Sequence, residues 1–211
     1  MNTNTLAYSN FDKNIASCED LINLYKVITE KIPELQEQSY DILRASLVLS
    51  VSALDTYLHD FFRTEIVESF LDKSRYNVNF DEINISIGVL REITLAKSEE
   101  EKKNLLNQEL RRIQKEDSYQ SNKSVEYIFN KLGLKKIWTE LENVGVNNLK
   151  AGEIKEELAN IINRRNKIAH ESDWDYVNDR KYNIAEQDAI SVVDFIKSFV
   201  TAISKLSPKS I

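Results

Sequence analysis

Four glycines and two prolines among 211 residues leave this chain few places to turn. A fold of many short strands needs turn signals roughly every 8–12 residues. The sequence therefore predicts long helices. Apolar residues at 42% and charged residues at 29% are the proportions of a globular chain that can bury its own core. The length fits a single domain over residues 1–211.

Ser9 and Asp12 have the spacing of a capping box and predict a helix start there. Phe11, Ile15, Cys18, Leu21, Ile22, Tyr25 and Ile28 then repeat every three to four residues. Pro33 fits a break or the first turn of the next helix. From about Leu35 to Leu71 runs the longest apolar-periodic stretch. Leu43, Leu47, Val51, Leu54, Leu58, Phe61 and Phe62 form one face, and Ala45, Val48, Leu49, Ala53 and Tyr57 widen it almost all round. A helix of that kind belongs in the middle of a bundle. Asp55 and His59, four apart on one face, are its polar exceptions. They form either a local Asp–His contact at a solvated edge or a carboxylate reaching a cation on a neighbouring helix.

Turn formers fill 72–84. Helices are predicted over about 85–96, 99–117, 125–131 (beginning at Ser124) and 134–141, with Gly133 as a left-handed cap. The charges of 99–117 read as a solvated face. After a turn at 145–148, a helix starts near Ala151, and a last one covers Ala185–Leu206. The expected fold class is all-α: a bundle of four to five main helices around the 39–71 helix, with 72–150 as a helical insertion or lid.

The net charge of −6 argues against a protein that holds duplex nucleic acid by blanket phosphate neutralisation, and leaves room for a small cationic site. Cys18 is the only cysteine, so no internal disulfide is expected and a reducing compartment is. No apolar run is long enough to span a membrane, and Met1–Thr5 lacks the basic flank of a signal peptide. A cytoplasmic location is the expectation.

Chemistry concentrates in residues 160–176. On a helical wheel Ile154, Leu158, Ile161, Ile162 and Ile168 gather on one side, and Arg165 falls within that stripe. A buried, unpaired guanidinium is costly, so Arg165 needs an anion, and Asp55 is the expected partner. Asn163, Asn166, Lys167 and His170 share the polar side. These parts suit RNA cleavage without a metal. Imidazole, ordinarily near pKa 6.5, is a natural base for a 2′-hydroxyl. A guanidinium offers paired donors to a phosphorane-like transition state, and Asn166 can orient. One histidine lacks a partner acid for the leaving 5′-oxygen, which a two-fold dimer would supply. Two other readings stay open. Arg165 and His170 could be structural, or His170, Glu171, Asp173 and Asp175 could ligate a divalent cation. Asp173–Tyr176 reads as the turn after the helix, with Trp174 and Tyr176 packing or stacking. No Gly-rich phosphate loop, Ser-His-Asp set or cysteine-based zinc pattern occurs.

The run Arg165-Asn166-Lys167-Ile168-Ala169-His170 resembles the Arg-x(4–6)-His motif of HEPN domains. Residues 42–60, 132–141 and His170-Glu-Ser-Asp-Trp-Asp175 are similar to the RiboL-PSP type of that superfamily. The resemblance implies a helical bundle, usually dimeric, with two motifs facing each other across a cleft. It implies Arg165 and His170 as a catalytic pair and Asn166 as auxiliary. Arg164 also satisfies the spacing. Many such domains are metal-independent endoribonucleases in defence, toxin–antitoxin and RNA-processing systems; others are non-catalytic modules that bind RNA, nucleotide or protein. The expectation is therefore a dimeric RNA-cleaving domain with catalytic Arg165, His170 and Asn166. Arg164 and Lys167 would sit at the substrate and Asp55 in support. No cofactor or metal is expected. RNA and a second copy are the expected partners, with room for a cognate inhibitor.

Overall fold

The computed structural model describes residues 3–72 and 83–206, without the side chains of the first three. Eight α-helices occupy the described residues: α1 (Thr3–Lys31), α2 (Gln36–Leu71), α3 (Ile87–Leu95), α4 (Glu99–Ile113), α5 (Asn122–Lys131), α6 (Ile137–Val144), α7 (Ala151–Glu171) and α8 (Glu186–Lys205). One two-stranded hairpin, β1 (Trp174–Asp175) and β2 (Arg180–Lys181), joins α7 to α8. The all-α expectation holds. Most of the predicted 72–84 loop lies outside the described residues.

α2, at 36 residues and about 54 Å, is the axis. Pro33 opens a short 3₁₀ turn, Pro33–Leu35, that reverses α1 onto α2. Phe11, Ile15, Cys18, Ile22 and Tyr25 of α1 are buried, as are Leu43, Leu47, Val51, Leu54, Leu58, Phe61 and Phe62 of α2. Small polar residues let the two helices approach closely. Ser46 Oγ donates to the Cys18 carbonyl at 2.9 Å, and Ser50 Oγ to the Ser46 carbonyl at 2.7 Å. Phe195, Phe199, Val200 and Ile203 of α8 close the core on this pair. Each large apolar side chain so buried contributes on the order of 1.5–3 kcal/mol. Val125, Ile128 and Phe129 of α5 and Ile137 and Leu141 of α6 belong to the same continuous core.

Three local expectations need correction. α1 starts at Thr3, so Ser9 and Asp12 lie inside it rather than at its cap. Upstream Ala7 is buried and Tyr8 Oη bonds Thr201 Oγ1 at 2.9 Å, which extends the helix. α5 is capped by Ser121, whose Oγ accepts from Ser124 N at 3.1 Å, a turn before the predicted start. Ala45 and Leu49 of α2 are exposed, Leu49 at 47%, so this helix is not buried all round.

Candidate active site

α7 carries the site, and both its ends are pinned. At its start the turn residues Gly145, Asn147 and Asn148 adopt left-handed backbone. Ala151 N donates to Glu142 Oε2 at 2.9 Å and Lys150 N to Glu153 Oε2 at 2.7 Å, which satisfies two of the free amides of a helix start. The Ala151 amide holds the Glu142 carboxyl below its usual range. At its end Ser172 (φ 54°) and Asp173 (φ 58°) are both left-handed. Both amides donate to the Lys167 carbonyl, the second at 2.9 Å.

The Asp173 carboxylate is fully buried and lies between two arginines. Oδ2 accepts from Arg44 Nε of α2 at 2.7 Å and from Arg164 Nη2 of α7 at 2.8 Å. Oδ1 lies 2.6 Å from Arg164 Nη1, a charge contact too poorly aligned to count as a hydrogen bond. Arg44 Nη2 also donates to the Tyr182 carbonyl at 2.6 Å and Arg164 Nη2 to that of Asn183 at 3.0 Å. Asp41 extends the network, accepting from Arg44 Nη1 at 3.1 Å and from Lys181 Nζ at 2.8 Å. The Lys181 bond is the main reason the Asp41 carboxyl sits below its usual range. A carboxylate facing two guanidinium groups is a poor cation ligand, since both arginines repel the ion. Asp175, the other acid of the metal reading, closes the hairpin turn: Oδ1 accepts from Val177 N at 3.0 Å and Oδ2 from Asn178 Nδ2 at 2.6 Å. These bonds, Asn178's first, hold its carboxyl low.

Arg164, expected at the substrate, thus spends its guanidinium on Asp173 and Asn183. Arg165 does not. It is half-buried; Nη1 donates to Asn166 Oδ1 at 2.9 Å, and Nε is buried without a hydrogen-bond partner. The expected Asp55–Arg165 pair is not formed. Asp55 instead accepts from Tyr119 N at 2.6 Å and Ser118 Oγ at 3.4 Å, tying the chain before α5 to α2. His59 Nε2 lies 3.8 Å from Asp55, and the His59 ring packs on Tyr119 at 4.3 Å between centroids. The local reading of Asp55 and His59 is the one realised. His170 is exposed, in the last turn of α7. It lies five positions on from Arg165, about 140° around the helix. An open groove of about 520 Å³ runs along the polar side of α7, lined by Asn160, Asn163, Arg164, Asn166, Lys167 and Glu171. Lys167 Nζ and the Arg164 guanidinium lie over the Tyr182 ring, 5.0 and 5.7 Å from its centroid.

A family model described as RiboL-PSP-HEPN matches residues 12–207. The chain belongs to this family. No curated protein and no solved structure matches it. In this HEPN chain Arg165-Asn166-x-x-x-His170 occupies the last two turns of α7, just before the hairpin and the final helix. The Arg44–Asp173–Arg164 cluster was not anticipated. Its signal was an arginine beside Leu43 in the longest apolar-periodic helix, which had to find a carboxylate somewhere. Among the described residues no helix is long and apolar enough to cross a membrane.

Proposed function

We propose that this chain is a metal-independent HEPN endoribonuclease, acting as a homodimer in the cytoplasm. The observation that carries the reading is the division of labour between neighbouring arginines. Arg164 is paired with a buried carboxylate, while Arg165 has no carboxylate partner and bonds only Asn166, on the helix that presents exposed His170. Within one protomer the two motif side chains point apart, so a working site needs the motif of a second copy. Exposed Ala45 and Leu49 on α2 offer an apolar patch for such a contact. In the reaction, one His170 takes the proton of a 2′-hydroxyl as the 2′-oxygen bonds phosphorus. The P–O5′ bond breaks, and the partner His170 protonates the leaving 5′-oxygen. The products are a 2′,3′-cyclic phosphate and a 5′-hydroxyl. Arg165 binds the charge that builds on the non-bridging oxygens, and Asn166 holds Arg165. Lys167 adds a phosphate contact. We read 72–150 as a helical insertion whose α5 and α6 share the core, and a defence or toxin–antitoxin setting as the biological role.

The test is cleavage of single-stranded and structured RNA in excess chelator by wild type, His170→Ala and Arg165→Ala. Wild type cleaves and both variants do not. Equal cleavage by all three, or by none, overturns the catalytic assignment. The 140° divergence within one chain favours a second reading, a non-catalytic HEPN module. That reading predicts a monomer in solution at concentrations where the enzyme reading requires a dimer.

A further inference from the structure

Residues 160–170 carry Arg164, Arg165 and Lys167 and no carboxylate, although Arg164 is paired with Asp173 from the hairpin side. Three asparagines, Asn160, Asn163 and Asn166, all in the interior of α7, line one groove with Arg164 and Lys167. Asparagine is a poorer helix former than Ala, Glu or Lys, and it suits caps and turns. None of these three caps a helix. Asn166 holds Arg165. The Asn160 and Asn163 carboxamides are exposed and have no hydrogen-bond partner among the described residues, so nothing in the fold accounts for them.

Position relates them to the proposed cleavage site. Asn163 and His170 are seven apart, two helical turns on one side, with Lys167 between them. Asn160 to His170 covers about 15 Å, room for a few unpaired nucleotides. A carboxamide places a donor beside an acceptor, the complement of the N6 and N7 edge of adenine. In a single strand that edge is free to be read, and in an A-form duplex the deep groove hides it. The groove lined by these residues is open; Lys167 in it is not ion-paired to any described carboxylate, and Glu171, the one acid of its lining, stands at the end beside His170.

We propose that this groove is a base-reading subsite for single-stranded RNA, in which Asn160 and Asn163 recognise unpaired adenine a few nucleotides from the cleaved bond and Lys167 holds an intervening phosphate. It rests on the RNA-cleaving reading above and adds to it a determinant of sequence. Asn160 and Asn163 are specificity residues; they touch no reacting atom.

The experiment uses the full chain carrying His170→Ala, so that RNA survives, and fluorescence anisotropy with labelled eight-nucleotide oligo(A) and oligo(U) in chelator. Oligo(A) binds about ten-fold tighter or more than oligo(U). Adding Asn160→Ala and Asn163→Ala removes the preference without lowering the melting temperature, because both side chains are exposed and alanine favours helix. Lys167→Ala weakens both oligonucleotides alike and flattens the salt dependence. Equal binding of the two oligonucleotides, or a preference that survives the asparagine changes, overturns the subsite. Cleavage by wild type without adenine preference sinks the subsite and leaves the nuclease standing. Asparagine-dependent adenine binding without wild-type cleavage supports the subsite and sinks the nuclease.

Discussion

Arg164 sets its guanidinium against the buried Asp173 carboxylate, whereas Arg165, one residue on, bonds only the neighbouring Asn166 and leaves Nε unpartnered. Both satisfy the spacing to His170, so the motif alone does not choose between them. Their surroundings differ, and the proposed function rests on that difference. A helix turns each successive residue by about 100°, enough to point Arg164 at the hairpin and Arg165 along the apolar side. An arginine already satisfied by a carboxylate has little left for a phosphate, whereas Arg165 has no carboxylate partner, although its Nε is buried and its Nη1 is held by Asn166. On the proposed reading, the contrast separates a residue that holds the site together from one that acts in it.

The largest effect expected from breaking this contrast is at Asp173. Asp173→Ala strands Arg44 and Arg164 against each other, and removing one partner of a buried ion pair costs about 3–5 kcal/mol. Urea denaturation measures it, and an unchanged midpoint would mean that the cluster does not hold α7 to α2. Arg165→Ala sits on the other side of the comparison. It leaves stability within about 1 kcal/mol, yet lowers cleavage roughly 10²–10³-fold, the loss typical of one transition-state donor. A variant that unfolds instead would make Arg165 a structural arginine like its neighbour. Asn166→Ala frees Arg165 Nη1 and costs about ten-fold in cleavage. An Asn166→Ala protein as active as wild type would show that Arg165 needs no anchor.

The smallest effect is at the rim of the cluster. The Asp41 carboxyl is held low chiefly by Lys181. A depressed carboxylate adds stability above its unfolded value and loses it as pH falls through the folded one. The Lys181–Asp41 tether is therefore whole at neutral pH and lost in acid. Because the Asp41 side chain is 60% exposed, solvent screening limits the contribution to about 1 kcal/mol or less. Denaturation of wild type and Lys181→Ala at neutral and acid pH checks the sign: the gap between them closes in acid. A gap that widens there would reverse the assignment.

The helices were readable because their apolar residues follow a strict period and glycine is scarce. The buried faces of α1 and α2 contain most of the residues that the pattern names, from Phe11 to Phe62, while Ala45 and Leu49 face outward. The candidate motif was readable because it is local: Arg165, Asn166 and His170 belong to one run on one helix. What sequence could not supply was pairing across distance. Arg44 and Asp173 are 129 residues apart, and their bond depends on how α2 passes the end of α7. Asp55 was rightly marked as a polar residue needing a purpose, but its partner is the Tyr119 amide, and a backbone group leaves no trace in a residue pattern. The hairpin escaped for a similar reason, since Trp174–Asp175 and Arg180–Lys181 are too short to show alternation.

The double left-handed stop at Ser172 and Asp173 bears on time as well as shape. Helix ends ordinarily fray, opening and reclosing far faster than catalytic turnover. Here two successive amides close on the Lys167 carbonyl, and the Tyr182 amide locks the Asp173 carbonyl from the hairpin at 2.8 Å. Amide hydrogens of this last turn should therefore exchange with solvent on the slow clock of the bundle, even though His170 itself stands in water. An imidazole on an unfrayed terminus keeps its direction between encounters, so on the proposed reading RNA arriving at the surface would meet a group that does not have to be ordered first.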